Sequence, residues 1–97
     1  MNEKDAYREK QEAQIRELRA EMERLKAKAD EAKADAKIRY EKEISRLREG
    51  LEKSRRELEK LGAASEDAWQ DIRSGFERSL ADIRAGVEAA KKEFTAD

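Results

Sequence analysis

Cysteine, histidine and proline are all absent from this 97-residue chain. Without cysteine there is no disulfide, no thiolate nucleophile and no zinc–thiolate site. Without histidine the commonest general acid–base group is missing. The lack of proline removes the residue most hostile to helix interiors. Glycine is scarce, at 4 residues, and so are aromatics, at 1 Trp, 2 Tyr and 2 Phe. A large globular core is therefore not expected, but a narrow apolar seam is. No stretch approaches membrane-spanning length, and "MNEKDAYREKQEAQ" at the start lacks an apolar signal core, so the expected location is cytoplasmic. An excess of one charge is missing too. There are 23 Lys and Arg against 24 Asp and Glu, a net charge of −1 with 48% of residues charged. Such interleaved charge belongs to solvated helix surfaces.

What the chain does have is Ala, Glu, Lys, Arg and Leu, the composition of long helices and coiled coils. Ile15, Leu18, Met22, Leu25, Ala29, Ala32 and Ala36 alternate by three and four, a heptad seam. Tyr40 and Ile44 follow at steps of four. Leu47, Leu51, Ser54, Leu58 and Leu61 then resume the alternation. Neither Gly nor Pro marks the slip, and "AKADEAKADAKIRY" is rich in helix formers, so one continuous helix is expected over residues 1–61. Arg8/Glu12, Arg19/Glu23, Lys37/Glu41, Arg48/Glu52 and Arg55/Glu59 stand four apart and support it. Gly50 is a local weakness in that helix.

"KLGAASEDAW" reads as a turn over 62–65. Gly62 is suited to a left-handed helix end and Ser65 to capping the next helix. A straight rod running past Gly62 is the other reading, because Leu61, Ile72, Ile83 and Phe94 stand eleven apart across it. From 66 to 97 the pattern changes to elevens, as in "RSGFERSLADI" and "RAGVEAAKKEF". Eleven residues in three turns keep a stripe nearly parallel to a straight helix. The small residues Ala64, Ala68, Gly75, Ser79, Gly86 and Ala90 flank that stripe and would admit a close neighbour.

The expected fold is thus all-α: a long helix with a shorter antiparallel one folded against it, oligomeric through what the short arm leaves bare. With the turn centred near Ala63, Trp69 faces Leu58, Phe76 faces Leu51 and Leu80 faces Leu47. Ile83 faces Ile44, Val87 faces Tyr40, and Phe94 lies beside Ala32. The expected core of this hairpin is Tyr40, Ile44, Leu47, Leu51, Leu58, Trp69, Ile72, Phe76, Leu80, Ile83, Val87 and Phe94. The overhang exposes Ile15, Leu18, Met22, Leu25, Ala29 and Ala32, the expected homo-oligomer interface. Charge agrees with pairing of the arms: residues 1–61 carry 18 basic and 16 acidic groups, and residues 62–97 carry 5 and 8.

Catalysis is not expected. Hydroxyls such as Ser45, Ser54 and Ser74 have no base at a predictable distance. The acid pairs Glu17/Glu21, Glu31/Asp35 and Asp67/Asp71 are suited to weak cation contact at most, and neither metal nor cofactor is expected. "SGFER" and "AGVEA" lack the context of a phosphate loop. Arg46, Arg48, Arg55 and Arg56 are neutralised by Glu49, Glu52, Glu57 and Glu59, so nucleic acid is not an expected partner. An unidentified protein partner stays open. So does a membrane surface, since Trp69, Phe76, Leu80 and Phe94 would suit an interfacial helix face, although the net acidity of that segment opposes anionic lipid. A chain disordered until dried is a third reading of the elevens.

"AKADAKIRYEKEI" (Ala34 to Ile44) and "SEDAWQDIRSG" (Ser65 to Gly75), with the order of segments along nearly the whole chain, resemble a family of small bacterial coiled-coil stress-response proteins typified by a cyanobacterial member. The resemblance implies an induced, cytoplasmic, all-helical protein with no known catalytic or ligand-binding residues, so none is carried over; the expected function is that of a non-enzymatic, self-associating, stress-associated scaffold or interaction module. Gly50 departs from it, where alanine or a charged residue is expected.

Overall fold

The computed structural model describes residues 2–96; Met1 and Asp97, the outer ends of the expected 1–61 and 66–97 segments, lie outside them. The described residues are all-helical, as α1 (Glu3–Asp30), α2 (Ala34–Ala63) and α3 (Trp69–Ala96). They pack as a bundle of 50 × 19 × 16 Å in which each helix touches both others. The single helix expected over 1–61 is therefore divided. Residues 31–33 turn the chain back, and α1 lies along α2 instead of projecting beyond it.

Local chemistry sets the ends. Asn2 caps α1, its side chain accepting from the Asp5 N–H at 2.8 Å, with Glu3 and Asp5 in the first turn where the helix dipole favours anions. At the other end Glu31 remains near-helical (φ −86°, ψ −11°), and its N–H reaches the carbonyls of Lys28 and Ala29. Lys33 is extended (φ −65°, ψ 155°), and no side chain caps α2 there. The second connection is longer than the expected 62–65 turn. Helix α2 continues through Gly62 to Ala63, and the reversal begins at extended Ala64 (φ −78°, ψ 156°). Gly62 is not a left-handed helix end, since no described residue has positive φ. The Ser65 hydroxyl accepts from the Ala68 N–H at 3.3 Å, and the Ser65 carbonyl accepts from Trp69 N–H at 3.1 Å, starting α3.

Because the reversal lies later than Ala63, the α2–α3 register differs from the expected one. Tyr40 stacks on Phe94, with ring centroids 3.9 Å apart, rather than facing Val87. Leu47 lies against Gly86 rather than Leu80, and Ile83 against Gly50 rather than Ile44. The contacts run in opposite order along the two helices. Small residues decide this register. A Cβ at Gly50 would come within 2.2 Å of Ile83 Cδ1, and one at Gly86 within 2.6 Å of Leu47 Cδ2. One turn beyond the Gly50 notch, toward the second connection, the hydroxyls of Ser54 and Ser79 meet at 2.6 Å, which satisfies both polar groups inside the contact. Gly50 is thus the seat of Ile83 rather than a blemish. The register also shows that the elevens are not structurally equivalent. Gly75 and Gly86 are eleven apart, yet a Cβ at Gly75 would meet nothing within 4 Å.

Burial along α3 follows sevens more than elevens. Trp69 and Phe76 are buried, as are Leu80, Val87 and Phe94, whereas Ile72 and Ile83 are only half-buried. Its polar ties to α1 have the same spacing. Tyr7 bonds Glu77, Gln14 bonds Arg84, and Glu21 pairs with Lys91. Both sets of positions advance by seven in the same direction, so α1 and α3 run parallel.

The glycines give a paired expectation. Gly75→Ala adds a methyl in open space and removes the helix cost of glycine, so it should stabilise by about 1 kcal/mol, a rise in melting temperature of about 4–8 °C. Gly86→Ala carries the same helix gain but must displace buried Leu47, and its melting temperature should fall short of that of Gly75→Ala. Thermal melts followed by circular dichroism at 222 nm compare the two.

Candidate interaction surface

The six residues expected to form an exposed association surface belong to the interior. Ile15, Leu18, Met22, Leu25 and Ala29 are between 0% and 4% exposed, and Ala32 is half-buried against the same core. Tyr40, Ile44, Leu47, Leu51, Leu58, Phe76, Leu80, Val87 and Phe94 join them in one cluster, and Trp69 and Leu61 are also buried. Helix α1 is therefore the third wall of the core and not an overhang. The physical reason is that a straight 1–61 helix would leave four large apolar side chains in water, whereas folding back covers them.

The α1 stripe also begins earlier than the apolar spacing suggests. Gln11 is buried and Tyr7 packs on the core. Two steps of four back from Ile15 reach Gln11 and then Tyr7, but their polar ends hide them from an apolar pattern. Tyr7 anchors the end of the bundle near the second connection. Its ring lies 5.8 Å from Trp69 and 6.4 Å, edge-on, from Phe76. The Arg73 guanidinium sits 4.7 Å above the Tyr7 ring. The Tyr7 hydroxyl donates to Glu77 at 2.9 Å, and Arg73 donates to the same carboxylate at 3.0 Å. Burial, then the bond to Glu77, pushes the Tyr7 phenol well above its ordinary range. Arg73 first and Tyr7 second hold the Glu77 carboxyl below the ordinary glutamate value. Beside this cluster Lys4 donates to the carbonyl of Ala64, the residue after α2, at 2.8 Å, which sets a cation at the C-terminal end of that helix. Arg8 lies across Gly62, where a Cβ would come within 2.5 Å of its guanidinium.

Tyr7 predicts an alkaline signature. A phenol whose folded pKa is raised contributes stability that is intact below the unfolded value of about 10 and lost as pH rises from there toward the folded value. Urea midpoints should therefore fall between about pH 10 and 11.5, and the fall should be shallower in Tyr7→Phe, which has no proton there to lose. Equal slopes for the two proteins would remove Tyr7 as the cause.

The opposite end, around residues 31–33, is different in kind. Lys28, Glu31, Ala32, Lys33, Asp35 and Ala36 line an open cleft of about 600 Å³ beside Arg39, Phe94 and Thr95. Its apolar contribution from the elbow and α2 is alanine, Ala32 and Ala36. The α1–α2 ion pairs Arg48–Glu23 (2.9 Å) and Lys26–Glu41 (3.8 Å) replace the within-helix pairs expected for Arg48 and Glu41, and both are exposed. Asp30 holds Lys26 more tightly than Glu41 does, through a bond that raises the lysine and lowers the aspartate. On the outer face of α2, Ile38 is the one large apolar side chain exposed among the described residues, at 59%, amid Glu41, Lys42, Arg46 and Glu49.

Among the described residues no group of three His, Cys, Asp or Glu is placed to hold a metal ion, and no helix is long and apolar enough to cross a membrane. No family model, curated protein or solved structure matches the chain.

Proposed function

We infer that this chain is a non-enzymatic helical scaffold that associates with copies of itself, cytoplasmic and stress-associated as the family it resembles implies. The observation that carries this reading is the character of α1. Its buried stripe is a heptad seam, a pattern that a second identical chain can match. Three of its polar ties to α2 and α3, Arg48–Glu23, Lys26–Glu41 and Lys91–Glu21, are ion pairs open or partly open to solvent, which hold weakly and yield to salt. The hydrophobic seam that makes the bundle is thus also the surface available for association. Sedimentation velocity from micromolar to millimolar protein tests it. A mass that rises with concentration is expected, and a single-chain mass throughout would end the reading.

A lipid-surface role competes with it, because α3 carries Trp69, Phe76, Leu80, Val87 and Phe94 on one face. All five are at most 6% exposed, so α3 would have to leave the bundle to reach lipid. Trp69 is already out of water, so a blue shift of its fluorescence would not report insertion. Quenching of Trp69 by brominated acyl chains in neutral and anionic vesicles does, and quenching there would favour the lipid reading over the scaffold.

A further inference from the structure

We propose that the partner for the α1 seam is α2–α3 of a second copy of this chain, reached when residues 31–33 straighten and the two copies exchange their α1 helices. This rests on the self-association reading and supplies its geometry. Nothing in the elbow itself requires a bend. Residues 31–33 are Glu, Ala and Lys, all good helix formers. None has positive φ. Glu31 is already near-helical, leaving Lys33 (ψ 155°) as the defined departure, and no side chain caps the α2 start that the bend creates. Straightening would give the orphaned N–H groups at the start of α2 the carbonyl partners they lack in the bend.

Phase and register both permit the exchange. Ala29 and Tyr40 are eleven residues apart, and eleven residues are close to three full helical turns. A straight helix through the elbow therefore keeps the α1 and α2 seams on one face. In the closed chain the α1–α2 contacts pair residues whose numbers total about 69: Lys4 with Ala64, Arg8 with Gly62, Glu23 with Arg48, and Lys26 with Glu41. Two straightened chains laid antiparallel in that register have their two-fold axis beside residues 34 and 35, next to the elbow. Every α1–α2 contact then re-forms between chains, and the seam residues nearest the axis are Ala32 and Ala36, small enough for two helices to cross closely. Exchange of an identical element is a low-cost route to a symmetric dimer.

The absence of cysteine allows a direct test. Ala20→Cys with Glu49→Cys places spin labels on exposed positions of α1 and α2. Labelled chain is mixed with excess unlabelled chain, warmed near its melting midpoint at millimolar concentration, cooled and fractionated by size. The exchanged dimer should show an intrachain label distance of about 44 Å, the length of 29 residues of straight helix, whereas the closed chain should show ~20 Å or less. Ala34→Pro is the companion variant. Position 34 opens α2, where proline is well tolerated, and Lys33 before it already has the extended backbone that proline demands. The same proline in the middle of a straight helix would break it. It should melt at or above the wild-type temperature at low concentration and form no dimer. A dimer with the short distance, or an Ala34→Pro chain that dimerises like wild type, would overturn the exchange while leaving self-association standing. A chain that stays monomeric throughout would overturn both.

Discussion

Phe76→Ala should lower the unfolding free energy by about 3–5 kcal/mol, measured as a fall in the urea midpoint at 222 nm. Phe76 is 0% exposed, so truncation loses the whole transfer free energy of the ring and leaves a void. Tyr7 packs edge-on against that ring from α1, so relaxation into the void would also disturb the Tyr7–Glu77–Arg73 cluster. A domain of this size holds roughly 5–15 kcal/mol in all, and the substitution therefore takes a large part of it. Phe94→Ala is the comparison within α3. Phe94 is 6% exposed and borders the open cleft at the elbow, where water can fill part of the space, and its loss should be the smaller. If Phe94→Ala proved the more damaging, the elbow end rather than the Tyr7 end would be the anchor of the bundle.

Met22→Lys should leave the chain without a cooperative melt at any concentration. Met22 is 1% exposed in the middle of α1, and an ammonium group there must either give up its proton or break the packing, at a cost of several kcal/mol. The variant separates two pictures of α1. A helix that overhangs would tolerate the lysine and lose only its oligomer, with α2 and α3 still folded. A helix that completes a three-walled core takes the whole bundle with it. Ala20→Lys, two residues away and exposed, should change stability by no more than about 0.5 kcal/mol. Far-UV circular dichroism with sedimentation of both variants decides between the pictures.

The contrast between sequence and structure centres on two places. At 31–33 local preference favours one helix, and the chain breaks there all the same. The interrupted helix loses at most a few backbone hydrogen bonds, each worth about 0.5–1.5 kcal/mol net. Folding back buries Ile15, Leu18, Met22 and Leu25, each worth about 1.5–3 kcal/mol. Burial of the four side chains outweighs the lost bonds, but it acts between residues far apart in the chain, and no window of sequence around the elbow contains it. At 64–68 the reversal is legible in "GAASED", yet Gly62 draws its expected centre too early. That glycine suggests a left-handed end, whereas its lack of a side chain serves Arg8 of α1 instead. The expected partners of Tyr40, Leu47 and Ile83 shift with that displacement.

Composition and periodicity by themselves determined that the chain is helical and which faces are apolar, because these depend on residues within a turn or two of one another. Only the tertiary structure decided that α1 is inside the core, that Gly50 and Gly86 seat Ile83 and Leu47, and that the elevens of α3 are buried by sevens. Those outcomes are set by which helix lies alongside which, and that depends on the total apolar area covered by the whole chain rather than on any local preference.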